Sequence, residues 1–130
     1  MYKRDLITVE IQKLAEVLAK ILGLKIELLW DKAELLFKQT IENDFGLPLE
    51  VLYTDNLSTF EKWLAECNLP PEKLEMLSQF IFNKIDEEAD QDQTKSLAQK
   101  LDLIYQTLIT KHHIVYMINL DRQKQISQFL

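Results

Sequence analysis

Five residues, Ile7, Ile11, Leu14, Leu18 and Ile21, recur at steps of four, three, four and three. That spacing lays one apolar stripe along an α-helix, and it predicts a helix from Asp5 to Leu22. Ala15, Val17, Ala19 and Leu22 widen the stripe, while Glu10, Lys13, Glu16 and Lys20 fall outside it. A stripe this broad needs partner helices to take it out of water, and the remaining chain is expected to supply them.

With only two glycines and three prolines in 130 residues, the chain has few points at which to turn. That favours long helices with short connections over an all-β fold. The length suits one domain spanning residues 1–130, large enough to bury roughly two-thirds of its unfolded surface without a staple. Its 47% hydrophobic content is too high for disorder. A single cysteine, Cys67, excludes an internal disulfide and a cysteine-based zinc site. Met1-Tyr2-Lys3-Arg4-Asp5 runs straight into charge with no apolar leader. No stretch approaches the length of a membrane span either. The expectation is a soluble cytoplasmic protein.

The net charge is −6, which disfavours nucleic acid as a partner, because phosphate binding needs clustered Lys and Arg. Residues 1–40 carry seven basic and six acidic side chains, a net of +1, and residues 94–130 carry five and two, a net of +3. Residues 41–93 carry three basic and thirteen acidic, a net of −10. This acidic block reads first as solvated helix faces and second as a surface for a basic partner.

In chain order, Gly23 is placed to stop the first helix. A second helix is predicted from about Lys25 to Asp44, antiparallel to the first, with Leu49–Tyr53 as a short extra turn. Ser58-Thr59-Phe60-Glu61 has the capping-box form, with Ser58 as N-cap. Phe60, Trp63, Leu64 and Cys67 share the face of the helix behind it. Asn68-Leu69-Pro70-Pro71 stops that helix, and Pro71 opens the next, whose apolar face is Leu74, Leu77, Ile81 and Ile85. The polar stretch 86–94 holds a turn at about Asp90–Gln93. A further helix carries Leu97, Leu101, Ile104 and Leu108 and ends near His112 and His113. Ile114–Ile118 reads equally as helix or extended chain. Asn119 is the expected N-cap of a last helix, Leu120 to about Phe129, with Ile126 and Phe129 inward.

Tyr2-Lys3-Arg4-Asp5-Leu6-Ile7, continuing to Leu18-Ala19-Lys20-Ile21-Leu22, resembles an uncharacterised family of small bacterial helical proteins. That family opens Tyr-x-x-Asp-x-Ile and closes the helix with Leu-Ala-x-x-Leu. Lys32-Ala33-Glu34-Leu35-Leu36-Phe37 is similar to its Glu-Ala-Glu-x-Leu-Leu-Phe, although Lys32 departs from the first Glu. The likeness covers about forty residues, implies an all-helical fold and brings no activity. Residues 72–108 also resemble a tetratricopeptide-type helix pair, but a small residue expected at the tight crossing is replaced near Asp86. No 34-residue period is present.

Glu72-x-x-Glu75 and Glu87-x-x-Asp90 resemble the paired acidic motifs with which helical nucleotide pyrophosphohydrolases hold magnesium. On a single helix, however, Glu72 and Glu87 stand about 22 Å apart, whereas two-metal sites hold their ions only about 4 Å apart. At about 100° per residue the four acids lie opposite Leu74, Leu77, Ile81 and Ile85, which reads as a solvated face. Asp86, Asp90 and Asp92 do not fit a calcium loop, because the required Gly and Glu are missing in either register. Adjacent His112 and His113 point about 100° apart and do not form a chelating i, i+4 pair. Cys67 reads as a small buried hydrophobe. Gly23 and Gly46 stand alone, so there is no phosphate loop, and no Gly-x-Ser-x-Gly elbow occurs. Lys111, Arg122 and Lys124 are too few for nucleic acid.

The expected object is an all-α protein of five or six helices in antiparallel hairpins, either tetratricopeptide-like or an irregular bundle. No catalytic residue, cofactor or metal ligand is assigned. The function expected is a protein-interaction or adaptor module, with a protein partner or a second copy of the chain. The alternative is a magnesium-dependent nucleotide hydrolase or small-ligand binder in a helical pocket. Trp30, Tyr53, Phe60 and Trp63 are the candidate interaction surface, against the plainer reading of aromatics as core.

Overall fold

The computed structural model describes residues 2–85 and 90–130. Seven helices and no strand occur among them: α1 (Tyr2–Ile26), α2 (Trp30–Asn43), α3 (Leu49–Leu52), α4 (Leu57–Glu66), α5 (Pro71–Ile85), α6 (Gln91–Thr110) and α7 (Met117–Ser127). The fold is all-α, and the helix beyond the expected six is the four-residue α3. No helix is long and apolar enough to cross a membrane among the described residues.

The helix α5 is the axis. Leu74, Met76, Leu77, Phe80, Ile81, Phe82 and Ile85 are all buried, so its apolar residues reach nearly every face. A helix apolar all round must be surrounded, and here α1 packs on one side of α5 and α6 on another. The shorter α4 and α7 then pack against α6. Ion pairs tie both ends of α5 to the first hairpin, Lys73 to Glu10 and Lys84 to Glu34. Between them Phe80 meets Phe45 edge-on, with ring centroids 5.3 Å apart, and Phe37 at 6.5 Å.

Several boundaries differ from the sequence reading, each for a local reason. The first helix runs through Gly23 and ends at Ile26. The left-handed residue is Leu28, with φ 63°. Its N–H donates to the Lys25 carbonyl at 2.9 Å, and the Leu29 N–H donates to that of Leu24 at 2.8 Å. That pair of bonds is the usual reverse turn at a helix C-terminus, and it delays α2 to Trp30. Asn56, not Ser58, is the N-cap of α4, its Oδ1 accepting from the Ser58 N–H at 3.0 Å. Asp90 caps α6 rather than lying on α5, its carboxylate accepting from the Asp92 N–H at 2.9 Å. Asp86 and Glu87, to which the magnesium and calcium comparisons appealed, lie outside the described residues.

Two helices stop in the same way. After α2, Gly46 takes φ 67° and the Leu47 N–H returns to the Ile41 carbonyl at 3.1 Å. After α6, His113 takes φ 57° and the Ile114 N–H returns to the Leu108 carbonyl at 3.0 Å. A histidine thus stands where α2 has a glycine. Residues 113–116 are neither helical nor a strand, and α7 begins at Met117. Asn119 is therefore the third residue of α7 rather than its cap. Ile126 is buried as expected, while Phe129 is exposed.

Candidate functional site

The acidic residues expected to face water separate. Glu72 is exposed, but Glu75 is only 5% accessible. Its neighbours Leu74, Met76 and Leu77 are buried too, so this stretch of α5 has no free face to offer a carboxylate. The side chain is met by α7 instead: Asn119 Nδ2 donates to Glu75 Oε2 at 2.6 Å. Ser78, one turn on, donates its hydroxyl to the Glu75 carbonyl at 2.5 Å. Arg122, also on α7, lays its guanidinium over the Phe82 ring, 4.7 Å from the centroid. Two residues of α7 thus grip α5 through polar groups.

The electrostatics follow from enclosure. Burial pushes the Glu75 carboxyl above the usual carboxylate range, opposed by the Asn119 hydrogen bond and then by the positive charge of Arg122. Burial also raises the Tyr105 and Tyr116 hydroxyls, and the Glu75 charge raises both further. Within this cluster, Glu75 Oε1, Asn119 Oδ1, the Tyr105 hydroxyl and Arg122 Nη1 are buried and close no hydrogen bond of good geometry among the described residues. Two can donate and two can accept, so the cluster is balanced although incompletely paired. A cavity of about 10 Å³ lies beside Tyr105 and Asn119, close to the smallest volume that admits one water. No substrate or cofactor fits there. The chemistry open to this cluster is that of a clasp holding α7 on the core.

A second buried charge lies at the middle of α6. Lys100 is 1% accessible, and its Nζ donates to the Thr54 carbonyl at 2.5 Å and to Ser96 Oγ at 2.7 Å. Burial pushes its ammonium down to about 8, with Asp55 acting in the opposite direction. This lysine fastens the segment between α3 and α4 to α6.

The four candidate aromatics are not brought together as one exposed face. Phe60 has no accessible surface and belongs to the core, its ring 5.7 Å from that of Trp63. Trp63 is half-buried and donates Nε1–H to the Gly46 carbonyl at 3.1 Å. Tyr53 packs against the same core. Trp30 is 51% exposed at the start of α2, directly after Leu28 and Leu29, which are also exposed. A groove of about 250 Å³ runs beside it, with Ile21, Ala33 and Phe37 in its lining and Lys25, Glu34 and Lys84 at its edge. Cofactor clefts occupy roughly 300–1,000 Å³, so the groove is of a size for a protruding side chain.

The other sequence candidates are dispersed. Cys67 is half-buried at the end of α4, its thiol donating to the Leu64 carbonyl at 3.1 Å. Arg122 points at Phe82 rather than joining Lys111 and Lys124 in a basic patch. Among the described residues, no three His, Cys, Asp or Glu side chains converge as metal ligands would.

Sequence reasoning missed Glu75, Asn119 and Lys100. A signal was present for two of them. Glu75 lies in Leu74–Phe82, a run apolar on nearly every face, and Lys100 falls on the Leu97, Leu101, Ile104 stripe.

The chain matches no family model, no curated protein and no solved structure. Of the expectations drawn from the resemblance to small helical proteins, the all-helical fold is the one the structure has.

Proposed function

We propose that this protein is a non-catalytic protein-interaction module whose contact surface is the corner between α1 and α2. The observation that carries this reading is the state of Leu28, Leu29 and Trp30: three consecutive large apolar side chains, all exposed, on a turn whose first residue is left-handed. An ordinary turn uses Gly, Asn or Asp at such a position, and large apolar residues exposed in sequence mark contact surfaces. Trp is among the residues that dominate binding energy where it is covered. The groove beside Trp30 gives a partner's apolar side chain a place to enter, with charges of both signs at its edge to set orientation. Of the four aromatics, Trp30 alone stands on this corner, while Phe60 belongs to the core and Tyr53 and Trp63 pack against it.

The test is affinity capture with tagged wild-type protein and with Trp30→Asp, compared at two salt concentrations. A partner held reproducibly by the wild type and lost by the variant supports the reading. Identical capture by both sinks it, as does a magnesium- or nucleotide-dependent rise in Tm that Trp30→Asp leaves intact.

A further inference from the structure

The last helix, α7, is held on the core by little. Asn119 and Ile126 are its buried residues, and the chain reaches it through the irregular residues 113–116, which begin at the left-handed His113. One of the two anchors is polar and ends on a buried acid, Asn119 Nδ2 donating to Glu75 Oε2 at 2.6 Å. The remaining oxygen of each group, Glu75 Oε1 and Asn119 Oδ1, is buried and closes no hydrogen bond of good geometry among the described residues. While Glu75 is a carboxylate both of these oxygens are acceptors, and neither can serve the other. One proton taken from water onto Oε1 makes it a donor, and the facing amide holds the acceptor that matches it. A neutral acid and an amide then join through two hydrogen bonds, and neither buried oxygen is left unpaired.

We propose that α7 is a proton-operated strap, seated when Glu75 is a neutral acid paired to the Asn119 amide and released more readily when Glu75 is ionised. Among the described residues, Arg122 of α7 is the one charged side chain that acts on Glu75, and it favours the ionised form. Its guanidinium is also laid over the Phe82 ring. Tyr105 on α6 and Tyr116 just before α7 face the acid as hydroxyls that burial keeps neutral. On α5 itself Glu72 is exposed and Lys73 is paired with Glu10 of α1. Asp121 and Lys124 of α7 are exposed. Burial outweighs Arg122 and the hydrogen bonds and holds the Glu75 carboxyl above its ordinary 4.5. The seated state therefore binds the proton more tightly than the lifted one, in which Glu75 meets water. Seating is strongest in acid and weakens as pH rises through the folded pKa of Glu75. With one isoleucine as the buried apolar anchor, a single ionisation is a sizeable part of the hold.

This device is separate from the Trp30 corner and is tested apart from it. In carbon-13 NMR of the wild type, the Glu75 carboxyl carbon should titrate above 4.5, and the Asn119 side-chain amide should shift with the same midpoint. Lifting is read by thiol labelling of Ile126→Cys in a Cys67→Ser background, each rate divided by that of the unfolded chain at the same pH. The ratio should be lowest in acid, climb by up to about tenfold per pH unit above about 4.5, and level off at the Glu75 midpoint. Glu75→Gln carries the donor at every pH, so its ratio should stay low and flat. A Glu75 titration at or below 4.5 overturns the proposal, as does an Asn119 amide indifferent to that titration. A ratio below one but flat with pH overturns it too, as does the same climb after Glu75→Gln. The NMR titration needs no substitution and decides the pairing by itself should Ile126→Cys loosen α7.

Discussion

The helices α1 and α5 are alike in sequence character and opposite in fate. Both bear apolar residues on more than one face, and both carry charges among them. The core closes around α5 so completely that Glu75 is buried with it and must be answered by Asn119. On α1 the core reaches Leu14, Leu18 and Ile21 and stops, leaving Ala15, Ala19, Leu22 and Ile26 uncovered. Apolar content therefore says how much a helix can bury. The number of neighbours the chain can bring to it says how much it does bury.

Truncation tests the contrast most forcefully. Phe80→Ala removes a ring packed between Phe37 and Phe45 and should cost about 3–5 kcal/mol in urea unfolding. Leu22→Ala on α1 should change the unfolding of the monomer by less than about 0.5 kcal/mol. A comparable loss at both sites would mean that α1 is covered after all.

Next in size is the clasp. Asn119→Ala deprives the buried Glu75 carboxylate of its donor and should cost about 1.5–3 kcal/mol. A negligible loss would show that Glu75 is adequately solvated without α7.

The pH profile refines the same point. A carboxyl whose folded pKa exceeds its unfolded value binds more protons in the folded state. Stability is then greatest below about 4.5 on this account and falls as pH rises through the folded pKa of Glu75. Glu75→Gln should flatten that fall and raise Tm at pH 7, with the gain vanishing in acid. Lys100 acts in the alkaline limb. Its folded pKa is lowered to about 8 from 10.5, so its contribution to stability rises between about pH 8 and 10.5. Lys100→Met should remove that rise.

The smallest expected effect lies at the end of α6. Because His113 occupies the backbone geometry that Gly46 occupies after α2, His113→Gly should add about 0.5–1 kcal/mol to unfolding stability. A loss would mean that the imidazole makes a contact worth more than the relief of backbone strain.

Much of the fold was legible because helix periodicity is local. The stripes of α1, α5 and α6, the Pro71 start and the stop at Asn68 follow from spacing and from residues that end helices. The boundaries that shifted depended on competition between neighbouring candidates. Gly23 could end a helix, but Leu28 does so where the chain can also close two carbonyl bonds. Asn56 and Ser58 could each cap α4, and the earlier one does. The polar cluster was harder to foresee, since charge was read as solvent exposure even inside an apolar run. That Asn119 would reach Glu75, 44 positions away, depends on which helices meet, and no local pattern carries that. Phe60 and Trp30 were indistinguishable as aromatics at helical spacing, and the fold put one at the centre and the other at a corner.

The thin attachment of α7 has a kinetic consequence. Asn119 and Ile126 are its buried residues, so this segment can swing away at far less cost than dissolving α5. Its amide hydrogens should then trade with deuterium in a sub-global opening, well ahead of the slow set that reports complete unfolding. Each such excursion would briefly hydrate Glu75, so the solvation of one interior side chain would keep time with the breathing of the C-terminal rod.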